Sequence, residues 1–458
     1  MPNPVVPSSN IPPARVRAWL RAALDSWVRD GVVTPETAQV ITERHGLDQP
    51  GRGAGPLLAA VLLGIGGLLI GGGVIAMVAA NWDAIPAAVK IAGLFVLLLG
   101  LHWASFVMFG SGRDRLGHGL LLAACLVFGG GIGLMAQVFH ITSSTGLAWL
   151  LWSAGALASA WAAGSTPSGL LALGIGAVWF GFYGVASRNY PEWVLIAAPY
   201  AMLAAFGGLA RERNSRALAG ATAVVFVIAL AMACSTLGGR GSAWAAGLVA
   251  AGLLVWAGAD WLGPVSRDTV RVIGVGAMAV AAYVASFHEI HEQMSARMFA
   301  NPAAVMLPAA TCSAGLILAA LSWRTEPPTV ARRRVSWLVL SGAATVALAY
   351  FLPAVFGLAT DILSTLLGNV AVLLFAAAAL ASGFSEFHRG HFWAGTFLAV
   401  ALVLTRFFEY DTDLMLKAFG FISCGVVVMY AGIEYERWLK RRTASETAAT
   451  GVDHGDAV

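Results

Sequence analysis

The chain has 458 residues, 58% of them hydrophobic and 11% charged, and a mean hydropathy of +0.76. Soluble domains carry about 25% charged residues, so this composition excludes an ordinary soluble enzyme or binding domain and marks a membrane protein. A dispersed net charge of +4 gives no nucleic-acid footprint, and Cys125, Cys234, Cys312 and Cys424 stand singly in apolar segments, without the spacing that zinc, haem or redox chemistry needs.

The first residues, "MPNPVVPSSNIPPAR", are Pro-rich and lack a basic region followed by an apolar run, so no cleavable signal peptide is expected and the first span is the expected insertion signal. In "RVRAWLRAALDSWVRDGVV", Val16, Trp19, Leu20, Ala23, Leu24, Trp27 and Val28 recur at helical spacing with arginines on the other face. Gly31 ends that helix. Thr34 before Pro35 and Glu36 starts a second short helix over 35–45, with Gly46 as its stop. Residues 1–52 are thus a cytoplasmic helical hairpin packed on itself or on the membrane face, and residues 14–46 are the segment through which a cytoplasmic protein partner would dock.

Apolar stretches of about 20 residues then recur from residue 57 to residue 435, each long enough to cross a hydrocarbon core of about 30 Å. They are continuous rather than alternating, which selects helices over a closed barrel. Fourteen spans are predicted, at 57–80, 86–109, 118–138, 147–164, 169–186, 192–210, 217–237, 242–262, 269–287, 302–323, 335–353, 361–382, 392–408 and 414–436. Residues 53–440 form this all-α polytopic domain, and the polar, Ala- and Thr-rich tail 441–458 is expected to be disordered. With the N-terminus inside, 22 of the 28 Lys and Arg fall in cytoplasmic segments. The other six are Lys90, Arg188, Arg240, Arg297, Arg406 and Lys417. By the positive-inside rule the protein is expected in a bacterial cytoplasmic (inner) membrane, with both termini cytoplasmic and the lipid bilayer as its main partner.

Polar residues inside this pattern are the functional candidates. Asn81, Trp82 and Asp83 fall at the first outer corner, where Asn ends a helix, Trp sits at headgroup level and Asp caps the helix that Pro86 opens. Lys90 lies one turn into the next span, a depth at which an ionisable side chain is a candidate by default. In "RFFEYDTDLMLK", Arg406 and Glu409, then Asp413 and Lys417, have helical pairing distances. Asp83, Lys90, Arg406, Glu409, Asp413 and Lys417 are therefore either local pairs and outer-face anchors or the periplasmic mouth of a solute path.

Other motifs weaken on inspection. "HEIHEQ" at 288–293 has Glu, not His, at position 292, so it is no zinc protease motif, and His288, His291 and Glu292 read as a solvated helix end. The glycines at 67 and 71, and at 129 and 133, lack a phosphate-loop pattern and have the four-residue spacing of close helix contacts. Pro199 and Pro308 fall within spans, where the carbonyls they free either line a cavity, as breaks in transporters do, or are satisfied by neighbouring helices. No nucleophile with a base and no paired carboxylates emerge, so no enzyme, catalytic residue, metal or cofactor is expected.

Four stretches carry a resemblance. Gly31, Val32, Val33, Thr34, Glu36 and Ala38 fit "G-[LIV]-[LIV]-[ST]-x-E-x-A", and the run "LGIGGLLIGGGVIAMVAANWDAIP" ends in Asn81 and Trp82. "GIGLMAQVFHITSSTG" holds Gln137 and His140, and "TRFFEYDTDLMLKAFGFISCG" closes the pattern. Together they resemble the bacterial predicted membrane proteins called domain of unknown function 2157. The resemblance implies a polytopic membrane protein and no chemistry. Two functions remain: a permease or channel-like protein for a small or amphiphilic solute, or a nonenzymatic envelope scaffold, assembly or sensor protein that uses the cytoplasmic hairpin. The oligomeric state is left open by the sequence. Topology is directly testable: reporter fusions at Arg213 and Arg333 are expected to report a cytoplasmic location, and periplasmic activity at either would overturn the fourteen-span order.

Overall fold

The computed structural model describes residues 20, 23–24, 26–44, 85–141, 145–186, 190–238, 243–288, 301–325, 328–356, 361–385, 389–409 and 414–451. The expected first span, Asn81, Trp82, Asp83, Asp413, Trp19 and the glycines at 67 and 71 lie outside these residues. The chain divides into two compact units, residues 1–90 and 91–458. Among the described residues there is helix and no strand, as expected of an all-α polytopic protein.

In the first unit, a helical stretch through Trp27 and Arg29 stops at Gly31, and helix α1 follows at Pro35–Arg44. Gly31 has φ +72° and the amide of Val32 bonds back to the carbonyl of Trp27, a left-handed helix stop. Thr34 Oγ1 accepts from the Thr37 amide at 3.3 Å, which caps α1 as its sequence predicts. Leu24 is buried, whereas Trp27 is 36% exposed.

Thirteen helices among the described residues are long and apolar enough to cross a membrane. In chain order these are α2 (Ala87–Gly110), α3 (Asp114–Val138), α4 (Thr145–Ala163) and α5 (Thr166–Val178), which runs on as a π-helix over Trp179–Ala186. Then come α6 (Glu192–Glu212), α7 (Arg216–Leu237) and α8 (Ala243–Gly258), the last extended by a 3-10 turn over Ala259–Leu262. They are followed by α9 (Pro264–Ala285), α10 (Pro302–Thr325), α11 (Val330–Phe356), α12 (Asp361–Ser385), α13 (Arg389–Glu409) and α14 (Leu414–Gly451). Every expected span from residue 86 onward corresponds to one of them.

Two differences have physical causes. Helices α9 and α11 begin five residues before the expected spans, taking Arg267 and Arg332–Arg334 into their first turns, because a span need not stop where its apolar run stops. Helix α14 likewise continues past Arg442 to Gly451, through a stretch in which Ala444, Glu446, Ala448 and Ala449 favour helix and the threonines do not. The segment 442–451 is therefore helical, not the disordered tail expected from its polarity.

Helix ends that face the arginine-rich side are closed by left-handed residues. Gly164, at φ +60°, ends α4, the Ser165 amide bonds to the Ala160 carbonyl, and Ser165 then caps α5 by accepting from Ser168. Asn214, at φ +51°, does the same for α6, with Ser215 capping α7. Asn is among the few residues that tolerate this conformation. The Arg213 guanidinium fills the space a Cβ at Gly164 would take, which locks the two corners together on one face.

Helix α8 is the central post. Thirteen of its sixteen residues are buried, as expected of a helix that is apolar all round. Ala246, Ala250 and Leu254 join the core formed with α5, α6 and α7, while Val249, Leu253 and Trp256 join a second core with α9, α11 and α12. Glycines bring the backbones together. A Cβ at Gly252 would lie 2.6 Å from the Gly274 carbonyl oxygen of α9, and one at Gly247 would lie 2.8 Å from the Ala231 Cα of α7. In α10, a Cβ at Gly315 would lie 3.1 Å from the Leu254 amide nitrogen. Of the expected glycine contacts, Gly129 is confirmed against the Trp152 indole, while Gly133 meets nothing within 4 Å.

The prolines do not break their helices. Pro199 and Pro308 are buried inside uninterrupted α6 and α10. Beside them, Tyr200 and Thr311 hydrogen-bond to each other, and the Thr311 hydroxyl donates to the Leu307 carbonyl at 2.7 Å. Both helices therefore run through their prolines without a break.

The α8–α9 crossing generates a test. Gly252→Leu is expected to destabilise the purified protein by about 3 kcal/mol or more, since overpacking here meets backbone rather than a movable side chain. Gly119→Leu, where an added Cβ meets nothing within 4 Å, should change the thermal midpoint little. Equal effects of the two would remove α8 from the centre of the fold.

Candidate functional site

The 3-10 turn at the end of α8 carries Asp260. Gly263, at φ +85°, turns the chain, and Pro264 opens α9. Arg267 and Arg271 are four residues apart on α9 and so share a face. Thr329 caps α11, with its Oγ1 accepting from the Arg332 amide at 3.4 Å, and this places Arg332 in the first turn. All three guanidinium groups converge on Asp260. Its Oδ1 accepts from Arg271 Nη2 at 2.7 Å and Arg332 Nη2 at 3.0 Å and its Oδ2 from Arg271 Nη2 at 2.9 Å, while Arg267 Nε lies 3.1 Å from Oδ1 as an ion pair.

This cluster runs against the helix dipoles. Asp260 at the C-terminal end of α8, and Arg267 and Arg332 in the opening turns of α9 and α11, each oppose the local partial charge, whereas Arg271 lies one turn further along α9. Asp260 and those two arginines stabilise one another in positions that neither sign would prefer alone. The four side chains are 19% to 30% exposed, so the pairing is less screened than at an open surface. One carboxylate against three guanidinium groups leaves a local excess of positive charge.

The excess borders a cavity of about 570 Å³ lined by Arg211, Asn214, Asp260, Trp261, Arg267, Arg271, Ser322, Trp323, Thr325 and Arg332. Four arginines and one aspartate line one space. Two apolar cavities share its rim. One, of about 340 Å³, runs between α6, α7 and α8 with Arg211 at its end. The other, of about 320 Å³, runs along α9, α11, α12 and α13, with Arg271 and Arg332 at its end.

The residues singled out from the sequence are placed differently. Arg406 and Glu409 of α13 form an ion pair with each other, as their spacing predicts. Both also reach the end of α9: Arg406 Nη1 donates to the Ser286 carbonyl at 2.7 Å, and Glu409 Oε1 accepts from the His288 amide at 2.8 Å. The Arg406 guanidinium carbon lies 4.9 Å from the centre of the Phe287 ring. The pair satisfies the backbone groups that α9 leaves open at its C-terminus, and there a cation also suits the dipole. Arg406 is 20% exposed and Glu409 11%, so Arg406 is not the outer-face anchor that one reading of the sequence expected.

Lys90 lies in the first turn of α2, and its amide bonds to the Pro86 carbonyl at 3.1 Å. Lys417, in the first turn of α14, joins no salt bridge among the described residues. Gln137 and His140 build a helix stop: the His140 amide bonds to the Gln137 carbonyl, the Ile141 amide to the Ala136 carbonyl, and His140 takes φ +50°. Of the histidines near 288, only His288 is described, through its amide contact with Glu409. Among the described residues no three His, Cys, Asp or Glu come together as a metal site.

Asp260, Arg211 and Arg332 went unnoticed as a site in the sequence. The local signal was a single acid at the end of a long uncharged span, followed by arginines seven and eleven residues later. Arg332 is 72 residues from Asp260 and had no local signature at all.

Comparison with known proteins agrees with the fold and stops short of the site. Residues 25–169 match the family described as "Predicted membrane protein (DUF2157)", a stretch that takes in α1 to α4 and the Gln137–His140 helix stop. No curated protein and no solved structure matches the chain.

Proposed function

We propose, for a chain whose residues 25–169 match a family of predicted membrane proteins, a permease or channel-like role in which an anionic solute, small or amphiphilic, is taken up at the arginine-lined end of the bundle. The observation that carries it is the convergence of Arg211, Arg267, Arg271 and Arg332 on one cavity containing a single carboxylate. Guanidinium groups recognise carboxylates and phosphates through paired donors. Asp260 holds three of them in place when the cavity lacks solute, and an incoming anion competes with Asp260 for them. Exchange of partners at the α8–α9 turn and the start of α11 is then the event that couples binding to movement of those helices. The excess of arginine at this end supports, by the positive-inside rule, a reading in which it faces the cytoplasm from a bacterial inner membrane.

The scaffold reading rests on the N-terminal hairpin, where Val32 and Val40 are exposed, and it requires nothing of the cavity. Anion dependence separates the two. At matched ionic strength, phosphate or a dicarboxylate is expected to raise the thermal midpoint of the purified protein above its value in chloride. At a concentration of 100 times Kd the stabilisation is about 2.7 kcal/mol. Arg271→Gln and Arg332→Gln should abolish it, and the stabilising anion should enter proteoliposomes. A midpoint indifferent to the anion would discard the solute role in favour of the scaffold.

A further inference from the structure

The apolar cavity beyond Arg271 and Arg332 differs in kind from the polar one. Its floor is Val339 of α11 with Phe375 and Ala378 of α12, all buried. Its rim includes Val272 of α9 and Phe397 of α13, which are 49% and 75% exposed. Those exposures place the opening on the side of the bundle, where the bilayer lies, rather than on its end. From Arg271 to Ala279 the groove follows α9 for about 12 Å of helix rise, from the arginine face toward the middle of the span.

Its polar groups are gathered at one end: Arg271, Arg332, Asp268, Ser382 and His391. The Ser382 hydroxyl and His391 Nδ1 lie 2.9 Å apart. Arg271 Nε is buried and has no hydrogen-bond partner among the described residues. A groove that is charged where it meets the headgroup level and apolar from there inward has the polarity of an amphiphile. With Asp260 counted, Arg267, Arg271 and Arg332 at this corner still outnumber Asp260 and Asp268, so the headgroup it complements is an anion.

We infer that this groove binds an anionic membrane phospholipid from the side, with its phosphate on Arg271 and Arg332 and one acyl chain laid between α9, α11, α12 and α13. The inference rests on the solute reading above for the role of the arginines, and it names the amphiphile. Because Arg271 and Arg332 also line the polar cavity, a bound lipid phosphate would draw on the guanidinium groups that Asp260 holds. Lipid occupancy and soluble-anion binding therefore compete.

The test is a titration of the purified protein in detergent with phosphatidylglycerol or phosphatidylcholine of identical chains, read by native mass spectrometry. Phosphatidylglycerol is expected to bind about tenfold more tightly, and Arg332→Gln to erase the preference. Gly276→Leu, at a position where an added Cβ meets nothing within 4 Å, and Ala394→Trp on the opposite wall should each weaken lipid binding at least fivefold. Both should keep the stabilisation by soluble phosphate. Equal binding of the two lipids, or groove variants that bind phosphatidylglycerol like the native chain, would overturn the inference while leaving the soluble-anion result to stand. Lipid preference without any soluble-anion effect would do the reverse, sinking the polar-cavity reading and keeping the groove. A dimer that the groove variants dissociate would put a second copy of the chain there and also overturn it.

Discussion

The contact on which this bundle depends is backbone against backbone around α8. Lipid tails are as apolar as leucine side chains, so helices in a bilayer gain little from hiding apolar surface against one another. They associate through close van der Waals contact, which small residues permit. Gly252 against Gly274, and Gly247 against Ala231, bring α9 and α7 to α8 at distances that no side chain would allow. Ala281 and Ala282 of α9 extend the same economy of volume into the second core, where Tyr350 donates to the Ala281 carbonyl at 2.7 Å. Away from the centre, the ring of Tyr435 stacks on Phe392 at 3.9 Å and its hydroxyl donates to the Gly383 carbonyl, tying α14 to α12 and α13.

Because α8 is held on every side, its last turn has little freedom, and that turn carries Asp260. The same packing sets the start of α9 beside it and brings in the start of α11. Three arginines and an aspartate therefore meet there, with Asp260, Arg267 and Arg332 in positions that oppose the helix dipoles. Local choices in a sequence usually agree with the fold, and the places where they disagree are the first to examine for function. The two charged clusters separate by their surroundings: Arg406 and Glu409 bond to the backbone at the C-terminus of α9, whereas the Asp260 cluster lies open to a cavity.

Much of this architecture is legible in the sequence because the bilayer sets it. Uninterrupted apolar length specifies the helices, and the arginines gather at their ends. Corner residues were also readable: Thr34 and Gly31 do what their types predict. The rest is tertiary. Pro199 and Pro308 look like breaks, yet α6 and α10 run on through them, and Tyr200 and Thr311 beside them meet across the two helices. Arg267, Arg271 and Arg332 look like topological markers until one carboxylate gathers them. Nothing near residue 332 points to residue 260; only the packing of α8 relates them.

The central claim is that Asp260 orders the arginines across the helix ends, and a double-mutant cycle between Asp260→Asn and Arg332→Gln measures it directly. Unfolding free energies of the native chain, the two single variants and the double variant give the coupling. Residues in one ion-pair network couple by about 0.5–3 kcal/mol, and with this burial about 1–2 kcal/mol is the expected value. Effects that add to within about 0.3 kcal/mol would contradict the account, because Asp260 and Arg332 would then not share an interaction.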